Sequence, residues 1–390
     1  MKKTPAFIIL CAIGGLAIFS STISKNPVLP ILAQGIGATT AIIGLIAAAS
    51  TVTGILTSLP AGLLSDQHGR KPVLIASGIV FFTAPLFYFL VQTAWQLALV
   101  RVYHGLATAI FGPVSLAYVT DLAPTRRGER LGYFSSTTLA GRALAPIVGG
   151  AILAWGAWQG VYVVCAIAGF LALAGMFFLP NPRQREGENP QPKPAEVKIP
   201  LRQVLSNLTI VSTSIAEAAQ LLAFGALETF LPLYALSVGI NPAALGLLFG
   251  AQIAVRMLSR PIMGLLSDQK GRKMPILLGL VITAFSVALF PQTTSLWVLL
   301  LLSAIFGLGV SIASAATSAF VADIAPSEGR GTAMGFMSTI MDIGQAIGPV
   351  LLGALLVSIS YQAGFAIIGA IVLAATMIFG FTAVEKRRQI

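Results

Sequence analysis

Gly62-Leu63-Leu64-Ser65-Asp66-Gln67-His68-Gly69-Arg70-Lys71 returns 202 residues later as Gly264-Leu265-Leu266-Ser267-Asp268-Gln269-Lys270-Gly271-Arg272-Lys273, with nine of ten positions identical. Each copy lies between two long apolar segments. An internal repeat of this length in so apolar a chain predicts two similar bundles of membrane helices.

Composition agrees. Of 390 residues, 56% are hydrophobic and only 9% charged, where a soluble protein would carry roughly a quarter. Mean hydropathy is +0.88. Apolar runs of about 20 residues, each enough to cross the hydrocarbon core as a helix, recur along the whole length. They define twelve expected spans at 6–33, 41–64, 72–91, 96–120, 131–155, 159–180, 207–235, 244–266, 275–292, 296–322, 333–358 and 364–383. The first lacks a cleavage-site pattern and exceeds the length of a signal h-region, so it is expected to remain as a helix.

The net charge of +11 does not point to nucleic acid, because its distribution follows topology. With the amino terminus inside, five of the 24 Lys and Arg (Lys25, Arg101, Arg142, Arg256 and Arg260) fall within spans. The other 19 fall in cytoplasmic segments, among them Lys2, Lys3, Arg126, Arg127, Arg130 and the tail Lys386-Arg387-Arg388. This bias sets the expected orientation, with both termini cytoplasmic and anionic lipid headgroups as neighbours. Cys11 and Cys165 lie in apolar spans as small core hydrophobes and support neither a disulfide framework nor a metal site.

The repeat continues past its opening loop. Asp121-Leu122-Ala123-Pro124 recurs as Asp323-Ile324-Ala325-Pro326, Leu29-Pro30 as Leu231-Pro232, and Gly141, Pro146 and Gly150 as Gly344, Pro349 and Gly353. Between the halves, a Pro-rich stretch of mixed charge reads as an extended cytoplasmic linker. The expected organisation is a six-helix bundle over 1–180, a linker over 181–205 and a second six-helix bundle over 206–390.

Together these residues resemble the major facilitator superfamily over essentially the whole chain. The loop after the second span matches the family signature Gly-x-Leu-x-Asp-x-x-Gly-Arg-Lys in both halves. The fourth span resembles the family's second motif through Arg101, His104 and Gly105, with His104 where Gln is usual. The fifth resembles the Gly-x-x-x-Gly-Pro-x-x-Gly-Gly element of drug/proton antiporters through Gly141, Pro146, Gly149 and Gly150. It departs at Ala145 and Arg142. The resemblance implies an all-α polytopic fold of 12 transmembrane helices in two halves, with helices 1, 4, 7 and 10 lining a central cavity. It also implies proton-coupled secondary transport by alternating access, most simply export of small amphipathic molecules or drugs. The alternative is a proton symporter or exporter of a specific anionic or sugar-like solute.

The repeated loop has a role that its chemistry suggests independently. Gly62, Asp66, Arg70 and Asp121, with Asp268, Arg272 and Asp323, form a candidate gating set. Arg70 can pair with Asp121 and Arg272 with Asp323, while Asp66 and Asp268 can face the positively polarised N-terminus of a helix. A solvated loop whose charges only set topology is the plainer alternative. In the fifth span, Gly and Pro permit bending and close packing.

Charge within a span is costly unless it meets water, a partner or a ligand. Lys25, Arg101, His104, Arg142, Glu217, Glu228, Arg256 and Asp342 are therefore the candidates for substrate binding or proton coupling. Proton coupling needs a carboxyl that can bind and release a proton, and Glu228, Asp342 and Glu217 are taken in that order. Fixed salt bridges to the intramembrane cations are the competing role. Arg260, beside Pro261, reads as structural, and His68 as merely polar. With two His, two separated Cys and no P-loop, neither metal chemistry nor ATP hydrolysis is expected, so the chain is not expected to be an enzyme or to need a cofactor. Expected partners are a small-molecule substrate, protons and lipid, and the expected state is a monomer of the cytoplasmic membrane.

Overall fold

A computed structural model describes residues 3–122, 126–156, 158–180, 204–326 and 329–385. Most of the expected linker, the tail cations Lys386, Arg387 and Arg388, and Ala123-Pro124 lie outside the described residues. The described chain is helical: α1 (Lys3–Ile23), α2 (Val28–Gly35), α3 (Thr40–His68), α4 (Arg70–Phe87), α5 (Ala94–Leu122), α6 (Arg127–Ala154), α7 (Trp158–Phe177), α8 (Leu208–Ser237), α9 (Pro242–Lys270), α10 (Lys273–Leu289), α11 (Leu296–Ile324), α12 (Arg330–Leu355) and α13 (Tyr361–Thr382). Short 3₁₀ turns follow α4 and α10. These elements make twelve helices long and apolar enough to cross a membrane, with α1 and α2 together forming the first.

That first span departs from the uninterrupted helix expected over 6–33. Residues 24–27 form a turn containing the cis Asn26–Pro27 peptide, and Lys25 sits in it. The backbone still closes locally, with Lys25 N–H donating to the Thr22 carbonyl at 3.0 Å and Leu29 N–H to the Lys25 carbonyl at 3.0 Å. Irregular backbone at membrane depth is tolerated where such bonds are made and the segment is enclosed by protein. The corresponding stretch of α8 runs unbroken through Glu228.

The chain divides into two compact units, one formed by Met1–Glu186 with Ala235–Gly250, the other by Gly187–Tyr234 with Ala251–Ile390. The same helix pairings build each half, and each pairing closes on a glycine. In the first, Gly141 of α6 lies against the Gly15 carbonyl of α1, Gly105 of α5 against Ser50 of α3, and Gly169 of α7 against the Phe81 carbonyl of α4. Offset by 200–203 residues, Gly344 meets the Ala218 carbonyl, Gly307 meets Gln252 and Gly369 meets the Ala284 carbonyl. A Cβ at any of these six positions would fall inside van der Waals range of backbone. Lipid gives helices no hydrophobic incentive to associate, so this backbone-to-backbone approach is what holds each bundle.

Helix ends are capped by the expected chemistry. Thr39 Oγ1 accepts from Ile42 N–H at 3.4 Å before α3, and Ser360 Oγ from Ala363 N–H at 3.3 Å before α13. Asn207 Oδ1 accepts from Thr209 and Ile210 N–H at 3.1 and 3.2 Å before α8.

Candidate functional site

The duplicated loop folds the same way twice. α3 ends at His68 and the chain turns through Gly69 at φ +89°. The second copy turns through Gly271 at φ +90°. L side chains rarely adopt this conformation, so glycine is required at the corner. The turn aims Arg70 back along α3 and across to α5. Its Nε donates to Asp121 Oδ2 at 3.1 Å and its Nη1 to Ser65 Oγ at 2.7 Å, and it also pairs with Asp66. Arg272 repeats the set, donating to Asp323 at 3.2 Å and Ser267 at 3.1 Å and pairing with Asp268 at 2.5 Å. A planar guanidinium spans such divergent acceptors where an ammonium could not. The next residue adds a further tie: Lys71 Nζ donates to the Phe177 carbonyl at 2.8 Å, and Lys273 Nζ to the Ala383 carbonyl at 2.7 Å. Each loop therefore joins the ends of four spans. At Gly62 a Cβ would meet nothing within 4 Å, so no close approach within the described chain demands glycine there.

One contact has no twin among the described residues. Glu385, just beyond α13, accepts from Arg272 N–H at 2.5 Å and from Lys273 N–H at 3.3 Å, capping the start of α10 with a carboxylate. Val384 N–H donates to Thr209 Oγ1 at 3.3 Å, so the segment after α13 is also tied to the start of α8.

Arg101 and His104 occupy a buried polar cluster among α1, α3, α5, α7 and the turn after α4. Arg101 is 1% exposed and His104 2%. Arg101 Nη1 donates to the Tyr88 hydroxyl at 3.2 Å and Nη2 to Ser50 Oγ at 2.5 Å. The Tyr88 hydroxyl also bonds His104 Nδ1 at 3.2 Å. Tyr162 stacks on the Tyr88 ring, centroids 4.0 Å apart and 12° from parallel. Reciprocal bonds between Ser20 and Cys165 tie α1 to α7: Ser20 Oγ donates to the Cys165 carbonyl at 2.9 Å, and Cys165 Sγ to the Ser20 carbonyl at 3.1 Å.

In the second half, Glu217 is 1% exposed and accepts from Thr317 Oγ1 of α11 at 2.8 Å. One turn on, Gln220 Nε2 donates to Thr283 Oγ1 of α10 at 3.0 Å. Glu228, Asp342 and Arg256 are half-buried, and Arg142 is exposed. Arg256 places its guanidinium 5.8 Å from the Phe224 ring centre, and its backbone carbonyl accepts from Ser311. In the fifth-span element, Gly149 lies against Ile23 and the Asn26 carbonyl, and Gly150 against Gly246, within the first compact unit.

The structure thus brings Arg70 to Asp121, Arg272 to Asp323, and Arg101 to His104. It adds residues the sequence had not marked: Ser65, Ser267 and Glu385 at the loops, Ser50, Tyr88 and Tyr162 around Arg101, and Thr317 beside Glu217. Ser65 and Ser267 carried a signal, since both stand in the repeated decapeptide.

Twelve membrane-crossing helices in two repeated halves, with buried polar clusters inside apolar bundles, define a polytopic membrane transporter. Comparison with known proteins gives the family. The Major Facilitator Superfamily model matches residues 10–239 and 213–389, and the chain belongs to that superfamily. An uncharacterized MFS-type transporter of Methanocaldococcus jannaschii is 28% identical over 84% of this chain and 86% of its own. The multi-drug resistance efflux pump PmrA homolog of Lactococcus lactis is 26% identical over 92% and 89%. The multidrug resistance protein MdtG of Salmonella arizonae is 23% identical over 84% and 81%. Among solved structures, a bacterial homolog of the human lysosomal transporter Spinster superposes with a TM-score of 0.80 at 17% identity, covering 98% of this chain and 95% of that one. The nucleoside transporter NupG gives 0.79 at 13% identity, covering 97% and 99%. These two likenesses concern the fold. The family and these relatives are transporters, not enzymes.

Proposed function

We propose that this chain is a proton-coupled exporter of small amphipathic molecules, working by alternating access as a monomer in the cytoplasmic membrane with both termini inside. The observation that carries proton coupling is Glu217: a carboxyl 1% exposed, inside an apolar helix, held by a single hydroxyl from Thr317. A carboxylate there is costly when charged and unpaired, and a bound proton removes the cost. Its deeper burial favours it as the coupling carboxyl over Glu228 and Asp342, which are half-buried, where sequence position had put Glu228 first. Export is supported by the likeness to the multi-drug resistance efflux pump PmrA homolog and to the multidrug resistance protein MdtG. The paired arginine loops supply the gate: ion pairs of this geometry can form in one conformation and part in another, biasing the exchange between states.

A specific observation favours an anionic solute as the second possibility. The spans expected from hydropathy within residues 1–180 carry Lys25, Arg101 and Arg142 and no acid. Proteoliposomes with an imposed pH gradient and a panel of cationic, neutral and anionic fluorescent dyes separate the two by charge preference and direction. Glu217→Gln is expected to abolish gradient-driven accumulation and to spare dye exchange. Undiminished accumulation would remove Glu217 from the coupling role.

A further inference from the structure

We propose that the Arg101–Tyr88–His104 cluster holds a small monovalent anion of the halide class, resident between α3, α5 and the turn after α4. This goes beyond the transport proposal and does not rest on its direction or substrate.

The case begins with donor count. A guanidinium has five N–H donors and no acceptor. Arg101 uses two, on the Tyr88 hydroxyl and on Ser50 Oγ, and its Nε has no partner although it is fully buried. Three N–H groups are therefore left over in a side chain that is 1% exposed. His104 adds another. The Tyr88 oxygen accepts from Arg101, and its own single proton is best spent on His104 Nδ1. That leaves Nε2 as the protonated nitrogen, buried and without a partner. Positions 101 and 104 share one face of α5. The unmet groups are all donors. A water molecule would have to find acceptors for its two protons, whereas an anion only accepts.

Charge points the same way. Buried charges in proteins are paired or bind ions. Among the described residues, no carboxylate lies within salt-bridge distance of Arg101. Residues 1–180 contain only Asp66, Asp121 and Glu129, and all three are engaged by arginines at the ends of helices: the first two by Arg70 and the third by Arg126 at 3.7 Å. No acid of residues 1–180 is therefore left to neutralise Arg101. Gly105, next to His104, brings α5 onto Ser50 of α3, and the Ser50 hydroxyl accepts from the guanidinium there.

The test uses the full chain purified in detergent and exchanged into sodium gluconate. Sodium chloride or bromide is titrated against gluconate at constant ionic strength while the unfolding temperature is followed. The expected result is a saturable rise with chloride or bromide. It should be abolished in Arg101→Gln and, in His104→Phe, shifted to roughly tenfold higher halide as one hydrogen bond to the ion is lost. If neither variant folds, bromide-soaked crystals of the unaltered protein decide: an anomalous peak within hydrogen-bonding reach of Arg101 Nε sustains the site. Identical unfolding temperatures in gluconate and halide, a halide response unchanged in both variants, or bromide found only elsewhere would overturn it.

Discussion

Equal substitutions in the two copies of the loop should have unequal costs, and the geometry says by how much. Gly69 and Gly271 hold φ of +89° and +90°, and Gly69 has ψ 156°, a region open essentially to glycine alone. Gly69→Ala should cost about 1–3 kcal/mol of backbone strain and little else, since its methyl would meet only Pro72 Cδ at 3.8 Å. Gly271→Ala carries the same strain, but its methyl would fall 2.9 Å from Glu385 Oε1 and expel the carboxylate from Arg272 and Lys273 N–H. Losing such a cap costs a further ~0.5–2 kcal/mol. The two losses at the second loop are then one event counted twice. Gly271→Ala combined with Glu385→Ala should fall short of the summed single effects by about the value of the cap, roughly 0.5–2 kcal/mol, whereas Gly69→Ala with Glu385→Ala should be additive. Reversible unfolding of the purified variants in mixed micelles measures all five proteins. Equal costs for the two alanines, or strict additivity at Gly271 and Glu385, would refute the assignment of Glu385 as the cap.

Two other predictions follow from the packing and the gate. Gly348→Ala places a methyl on the Leu222 carbonyl and should destabilise by about 1–3 kcal/mol, while Gly335→Ala, with nothing within 4 Å, should be neutral or slightly stabilising; thermal inactivation of dye transport ranks them. Arg70→Lys keeps the charge but not the fork that reaches Ser65, Asp66 and Asp121, so it should lower transport several-fold with normal membrane levels of protein; full activity would mean the loop charges serve topology alone.

Much of this was legible in the sequence because it is written locally. Twelve spans follow from hydropathy, and the Arg70–Asp121 and Arg272–Asp323 pairs follow from a decapeptide whose partner lies at the foot of an adjacent repeat element. The interior was less legible. Glu385 bonds Arg272 across 113 residues through backbone N–H groups, which no side-chain pattern announces. Ser50 and Tyr88 are common, uncharged residues in apolar spans, and only assembly turns them into the partners of Arg101. The unequal burial of the three acids was illegible for a related reason. α8 is buried over 78% of its most apolar window, so a helix enclosed on nearly all sides offers no periodicity to say which carboxyl faces protein. The turn at Lys25 interrupts a run whose composition stays apolar on both sides, and hydropathy averages straight across it.

Overlaying the halves at their own 200–203-residue offset separates frame from function. The glycines of closest approach, the arginine forks and the lysine ties coincide. Within that common frame, Ser50 stands where the second half has Gln252, Arg101 where it has Ser303, and His104 where it has Phe306. Glu217 stands where the first half has Gly14, at the contact with Phe134 and Thr138. The common frame therefore carries a buried cation at one position of the first half and a buried carboxyl at a different position of the second. Two halves that served only as matched mechanical levers would have no reason to acquire buried charges that their counterparts lack, since each buried charge destabilises its bundle unless a ligand or proton answers it. Under the proposed mechanism, the repeat supplies the machinery of motion. The departures from it, Arg101 with His104 on one side and Glu217 with Thr317 on the other, are where the ions that drive or steady that motion should be sought.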